Sequence, residues 1–204
     1  MDESIALARD RMLTYQLLSS LYLQEASADL LALMSQSASL QDGKLGEYIS
    51  GLSAASLEEA RVDAASDFAA LFLGMSANPV APYESVYTSE EGLLMQDARD
   101  EVLAAYRQEG LGYAGTDNLP EDHIGTEFEF MAKLCEKEAA ALEAGDAPEA
   151  QRLRDVQRAF IAEHLAVWVP GFCDDVEARA RTLLYGGLAQ VTRQLIASEA
   201  EWAG

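Results

Sequence analysis

An all-α fold is predicted by three features of the sequence. Apolar residues recur at three- and four-residue steps along most of the chain, the period of a helix with one buried face. No alternating apolar–polar run of useful strand length intervenes. Glycine and proline gather at a few points, so they separate segments and leave most interiors intact. The chain has 204 residues, half of them hydrophobic, which is enough to bury a substantial core.

The first helix carries Ile5, Ala8, Met12, Tyr15, Ser19 and Tyr22 on one stripe, widened by Leu17, Leu18 and Leu21. Short helices fit DLLALMSQS and KLGEYISGL, the second weakened by Gly46 and Gly51. Ser56 and Glu59 have the spacing of a capping box, and the helix they open runs through DFAALFL to Gly74, a left-handed terminator. Pro79 and Pro82 cannot donate to a helix ladder, so residues 75–89 read as a loop. A helix follows from near Leu93 to Gly110. The stretch EGLGYAGTDNLP then marks a connector at about 110–119. From about Pro120 to Ala144 a helix places Ile124, Phe128, Met131 and Cys135 on one face. Asp146 and Glu149 suit the cap and third position of another, running to Trp168 before Pro170-Gly171. The last segment, Asp174 to Trp202, reads as helical with a Gly186-Gly187 interruption. The expected architecture is one globular multi-helix bundle with sub-bundles at about 1–110 and 119–204, joined by the Gly-rich connector.

Charge narrows the partners. Thirty-five acidic residues against 14 basic ones give a formal net charge of −21. Nucleic acid and anionic membrane both require a basic footprint, so neither is expected. A basic partner would be attracted over roughly 8–10 Å at physiological salt. Cys135 and Cys173 form no C-x-x-C pair and read as free thiols of a reducing compartment. The N-terminal MDESIALARDRM carries five charges and no apolar core, unlike a secretory signal, and no apolar run is long enough to span a bilayer. The protein is expected to be soluble and cytoplasmic.

Enzyme chemistry finds little support. A di-iron bundle requires paired Glu-x-x-His motifs, which are absent; His123 and Glu127 share a face, but two ligands do not make a site. His164 and Cys173 lack an orienting group and oxyanion donors, and no nucleotide-binding glycine motif is present. No metal and no cofactor are expected.

Two regions invite a binding role. In LPEDHIGTEFEFMAKL, Pro120, Glu121 and Asp122 suit a helix start, where acids favour the macrodipole by about 0.3–1 kcal/mol. The dipole disfavours a protonated His123, and Gly125 costs roughly 1 kcal/mol relative to alanine, which fits close approach of another backbone or of a ligand. The second region is FAALFLG followed by PVAPYESVY. Phe68 and Leu71 have the spacing of core residues, whereas Tyr83, beside Pro82 in a loop, suits a surface apolar on one side and wet on the other.

DFAALFLG, PYESVY, PEDHIGTEFEFM and FIAEHLAVWVPGF, with the later LLYGGLAQVTRQL, resemble in content and order the TorD/DmsD family of redox-enzyme maturation chaperones. The resemblance extends from RMLTYQLLSSLY to about Ile196. It implies an all-helical cytoplasmic chaperone, not an enzyme. Such a protein binds the twin-arginine signal peptide of a molybdopterin oxidoreductase and holds that enzyme until its cofactor is inserted. The residues implied in signal-peptide binding are Phe68, Leu71, Phe72, Gly74, Pro82, Tyr83, Asp122 and His123, with Glu121, Tyr87 and Glu127 as further candidates. Met75 stands where many members have proline, and Pro120-Glu121 reverses the family's usual Glu-Pro order.

The chemistry of such a peptide is compatible with these residues. Guanidinium and carboxylate pair through two parallel hydrogen bonds, about twice as strong as neutral ones. Asp122, with Glu121, is expected to take an arginine, Phe72 and Tyr83 the apolar stretch, and His123 to fix the local geometry. Alternatives are a nitrate-reductase-type assembly chaperone, a helical metalloenzyme, or a plain interaction scaffold. Either a monomer or a dimer that exchanges halves across the connector is compatible with the sequence.

Overall fold

The computed structural model describes residues 3–37, 40, 42–112 and 119–203. Its elements are helical: α1 (Glu3–Leu23), α2 (Ala28–Ser35), α3 (Gly43–Ser50), α4 (Leu57–Phe72), α5 (Glu84–Thr88), α6 (Asp97–Gln108), α7 (Ile124–Glu143), α8 (Ala147–Phe160), a π turn (Ile161–Leu165), α9 (Ala166–Arg179) and α10 (Leu183–Ala203). The only strand-like pairing among the described residues is an isolated antiparallel bridge between Tyr83 and His123.

The chain forms two compact units, and neither is contiguous in sequence. Unit 1 comprises Met1–Leu23, Tyr83–Val169 and Ile196–Gly204; unit 2 comprises Gln24–Pro82 and Pro170–Leu195. This corrects the expected division at 110–119. Gly110, Leu111 and Leu119 all lie inside unit 1, and residues 113–118 of that connector lie outside the described residues. The reason is a long-range pairing: α1 packs along α7, so the first helix joins the second half of the chain.

In unit 1 that pairing buries Tyr15 and Tyr22 against Phe128, with ring centroids 5.7 and 6.2 Å apart. The four stripe residues of α7, Ile124, Phe128, Met131 and Cys135, are fully buried. Gly125 permits the approach: a Cβ there would stand 2.5 Å from Leu23 Cγ and 3.2 Å from Ser19 O. Tyr106, Phe130 and Phe160 form a second aromatic cluster, with centroids 4.6 and 4.8 Å apart along the chain of rings. The end of α10 is tied in by Arg11, which bonds Glu199 and the Gln157 side chain and lies 4.5 Å from the Trp202 ring.

In unit 2, Phe68, Phe72, Phe172 and Tyr185 form a continuous aromatic core. Buried Asp67 accepts the Arg181 N–H, the Thr182 N–H at 2.8 Å and the Thr182 hydroxyl at 2.7 Å, and so caps the start of α10. A Cβ on Gly187 would fall 2.7 Å from Leu45 Cα, so α10 and α3 touch backbone to backbone.

Several sequence expectations need correction. The Ser56–Glu59 capping box does not form, because the Ser56 hydroxyl bonds Ser53 instead. Gly74 does terminate α4, at φ +71°. The helix expected from Leu93 starts at Asp97, since Gly92 and Met95 take left-handed φ of +63° and +58°. The helix expected from Pro120 starts at Ile124, with His123 as its cap. Pro170 lies inside α9, which restarts after the π turn, and Gly186-Gly187 lie inside an unbroken α10.

Candidate functional site

The stretch before α7 is held by its own polar groups. His123 Nδ1 accepts the Gly125 N–H at 3.0 Å, capping the helix and placing the ring proton on Nε2. Burial lowers the imidazole pKa to about 4, so the ring stays neutral at the positive end of the α7 dipole. His123 thus fixes the local geometry by hydrogen bonding.

Asp122 reaches into PYESVY. Its carbonyl accepts the Glu84 N–H at 3.0 Å and its Oδ2 accepts the Ser85 N–H at 2.9 Å, satisfying donors at the start of α5. The Tyr83 ring stands edge-on to His123, with centroids 5.2 Å apart. Two stretches some 40 residues apart are therefore laced into one corner of unit 1.

Beneath this corner lies a buried polar core. Glu84, 2% exposed, accepts from His164 Nδ1 at 3.0 and 3.1 Å to its two oxygens. Glu127, fully buried, accepts the Trp168 indole N–H at 3.1 Å. Burial, reinforced by the neighbouring Glu84, raises the Glu127 pKa well above the carboxylate range, so this carboxyl is held neutral. Tyr87 stacks near Trp168, with centroids 5.5 Å apart. Asp122 Oδ1 and Glu127 Oε1 are buried with no hydrogen-bond partner among the described residues. No group of three or more His, Cys, Asp or Glu among the described residues is placed to hold a metal ion.

Of the residues singled out in the sequence, Tyr83, Tyr87, Glu121, Asp122, His123 and Glu127 come together in unit 1. Phe68, Leu71, Phe72, Gly74 and Pro82 belong to unit 2, where Phe68 and Leu71 are core and Phe72 is partly exposed.

One expectation is overturned. Asp122 does not present a free carboxylate to an arginine: it is fully buried and caps α5. Glu121 already holds a guanidinium, that of Arg99, through two bonds of 2.6 and 3.0 Å. That pairing keeps its carboxyl below the usual range. Sequence reading missed Glu84, Ser85 and Trp168, and weighed His164 only beside Cys173. The available signals were a carboxylate inside an aromatic run and a His–Trp pair one helical turn apart.

Residues 37–174, more than half of the chain, match the family described as nitrate reductase delta subunit. The chain is 31% identical over 122 residues to the chaperone protein TorD of Photobacterium profundum, covering 60% of this chain and 55% of that protein. It belongs to the TorD/DmsD-like chaperone family. Another TorD relative, from Ferrimonas balearica, is 27% identical over 190 residues, covering 83% of this chain and 84% of its own length. A third, from Vibrio cholerae, is 29% identical over 117 residues, with 57% and 51% covered. This TorD-family chain spans about half the length of the Photobacterium and Vibrio proteins. These relatives carry the name of a chaperone and not of an enzyme.

Proposed function

We propose that the chain is a cytoplasmic maturation chaperone. It binds the twin-arginine signal peptide of a molybdopterin oxidoreductase and holds that enzyme until its cofactor is inserted, before export. Membership of the TorD/DmsD-like family carries this reading. The net charge of −21 supports it, since a doubly basic leader would be steered in and non-cognate acidic partners repelled. No helix among the described residues is long and apolar enough to cross a membrane.

In this reading the residues of the Tyr83–His123 corner divide by exposure. Tyr83 and Tyr87 are partly exposed and supply contact surface; Asp122, His123 and Glu127 are buried and hold that surface in shape. Phe72 and Gly74 of unit 2 keep the contact role the resemblance implies, and Phe68, Leu71 and Pro82 a supporting one. The test is calorimetric titration of a synthetic leader, two arginines followed by an apolar stretch, at low ionic strength. Binding weakened by lysine in place of both arginines is the expected result; a leader that gives no heat and no competition refutes the reading.

The matching family is described by nitrate reductase, which favours a second reading: an assembly chaperone that grips a terminal segment of its enzyme lacking the arginine pair. Capture of such an enzyme from extract, undisturbed by excess leader, would select it.

A further inference from the structure

The combination expected at residues 121–123, exposed acid beside exposed apolar surface, occurs elsewhere in unit 1. Between α5 and α6, Leu93, Leu94 and Met95 are 50, 47 and 60% exposed. Single exposed apolar side chains are ordinary, but three consecutive ones on a short loop are the mark of an interaction surface. Exposed Glu90, Glu91, Asp97, Asp100 and Glu101 flank them. Arg99 is the only basic residue from Tyr83 to Tyr106, and it is committed to Glu121 and Asp100.

The loop is held in one shape. The Leu93 N–H donates to Ser89 Oγ at 3.2 Å and the Gln96 side-chain amide to Leu94 O at 2.9 Å. The Gln96 N–H donates to Ser85 Oγ at 3.2 Å, and Ser85 is the residue whose N–H binds Asp122. Met95 adopts φ +58°, a conformation that a non-glycine side chain takes at a cost, and it projects at 60% exposure. The buried Asp122 thus supports, through Ser85 and Gln96, a preformed apolar tip in an acidic frame.

We infer that residues 90–101 extend the docking surface for the leader beyond Tyr83 and Tyr87, with Leu93, Leu94 and Met95 meeting its apolar stretch and the flanking acids its arginines. Asp122 and His123 are then positioning residues and not the groups that touch the peptide. The assignment rests on the proposed leader-binding function. Charge complementarity selects the occupant: a second copy of a chain at −21 would be repelled from this edge, and so would anionic lipid.

The test uses the full chain and the synthetic leader, with two variants. Leu93→Ser/Leu94→Ser/Met95→Asn removes the apolar tip while retaining a residue that tolerates positive φ. Glu90→Lys/Glu91→Lys reverses part of the frame. Each is expected to weaken leader binding about tenfold at unchanged helicity and melting temperature, and the second to flatten its salt dependence. Wild-type binding matched by either variant overturns the assignment and leaves the leader-binding function standing. A wild-type chain that binds no leader overturns that function and this surface with it. Dimerisation lost in the triple variant, with leader affinity intact, assigns the tip to a second copy and also overturns the inference.

Discussion

Asp67 in unit 2 and Asp122 in unit 1 are both buried carboxylates that satisfy the first turn of a helix distant in sequence. They differ in how completely they are used. Both Asp67 oxygens accept hydrogen bonds, one of them from three donors around Arg181 and Thr182. Asp122 uses one oxygen on Ser85 and leaves the other without a partner among the described residues, as Glu127 does nearby. Buried polar atoms are nearly always paired, so departures concentrate where a protein does more than stay folded. The Asp67 carboxylate is saturated by its donors, whereas Asp122 retains an oxygen that its own helix cap does not consume.

The contrast can be broken by substitution. The largest effect is expected at Gly187→Ala, where the new Cβ would meet Leu45 backbone, and should cost about 3 kcal/mol by urea unfolding. Its counterpart in unit 1, Gly125→Ala, first meets a movable Leu23 side chain and gains helix propensity, so a loss of about 1 kcal/mol is expected. Equal losses would erase the distinction between a backbone contact and a side-chain one.

Asp67→Ala comes next. It strands donors at residues 181 and 182 and should lower stability by about 2 kcal/mol, read from the same denaturation curves. Retained stability would show that water replaces the carboxylate without penalty.

The smallest effect at neutral pH, but the most diagnostic, concerns the buried pair of unit 1. Glu127 has a raised pKa in the folded chain, so the folded state holds its proton longer than the unfolded one. Its contribution is complete below the unfolded value of 4.5 and is lost as pH rises toward the folded value. Glu127→Gln should therefore gain on the wild type by about 1 kcal/mol as pH climbs through that window. His123 has the opposite sign. Its pKa falls from 6.5 to about 4, so stability is present above 6.5 and declines as pH drops toward 4. His123→Asn, which keeps a capping side chain, should flatten that acid limb in pH-dependent melts. Parallel pH profiles for wild type and both variants would remove the two groups from the account.

The helices were legible where one face is buried along their whole length. The stripes of α1 and α7 could be read because their period survives packing. The errors arose where a distant contact overrides local preference. Gly187 looks like a helix breaker until Leu45 is placed against it, and Pro170 looks like a stop yet stands inside α9. Ser56 departs for a local reason: its hydroxyl bonds Ser53, three residues before it, and leaves Glu59 unused. In the corner, residue types alone marked Asp122 and His123, and the glycine after them revealed a close approach. Burial of Asp122 was not legible, because carboxylates are seldom fully enclosed. The Glu84–His164 bond joins residues 80 positions apart, and neither neighbourhood announces the other.

The interleaving of the units has a consequence for biosynthesis. Arg11, in the first helix, finds Glu199 and Trp202 only when the last turns of α10 have left the ribosome. Pairings of such sequence separation form late and slowly. Completion of unit 1 therefore waits on the last turns of α10, however early its first helix is made.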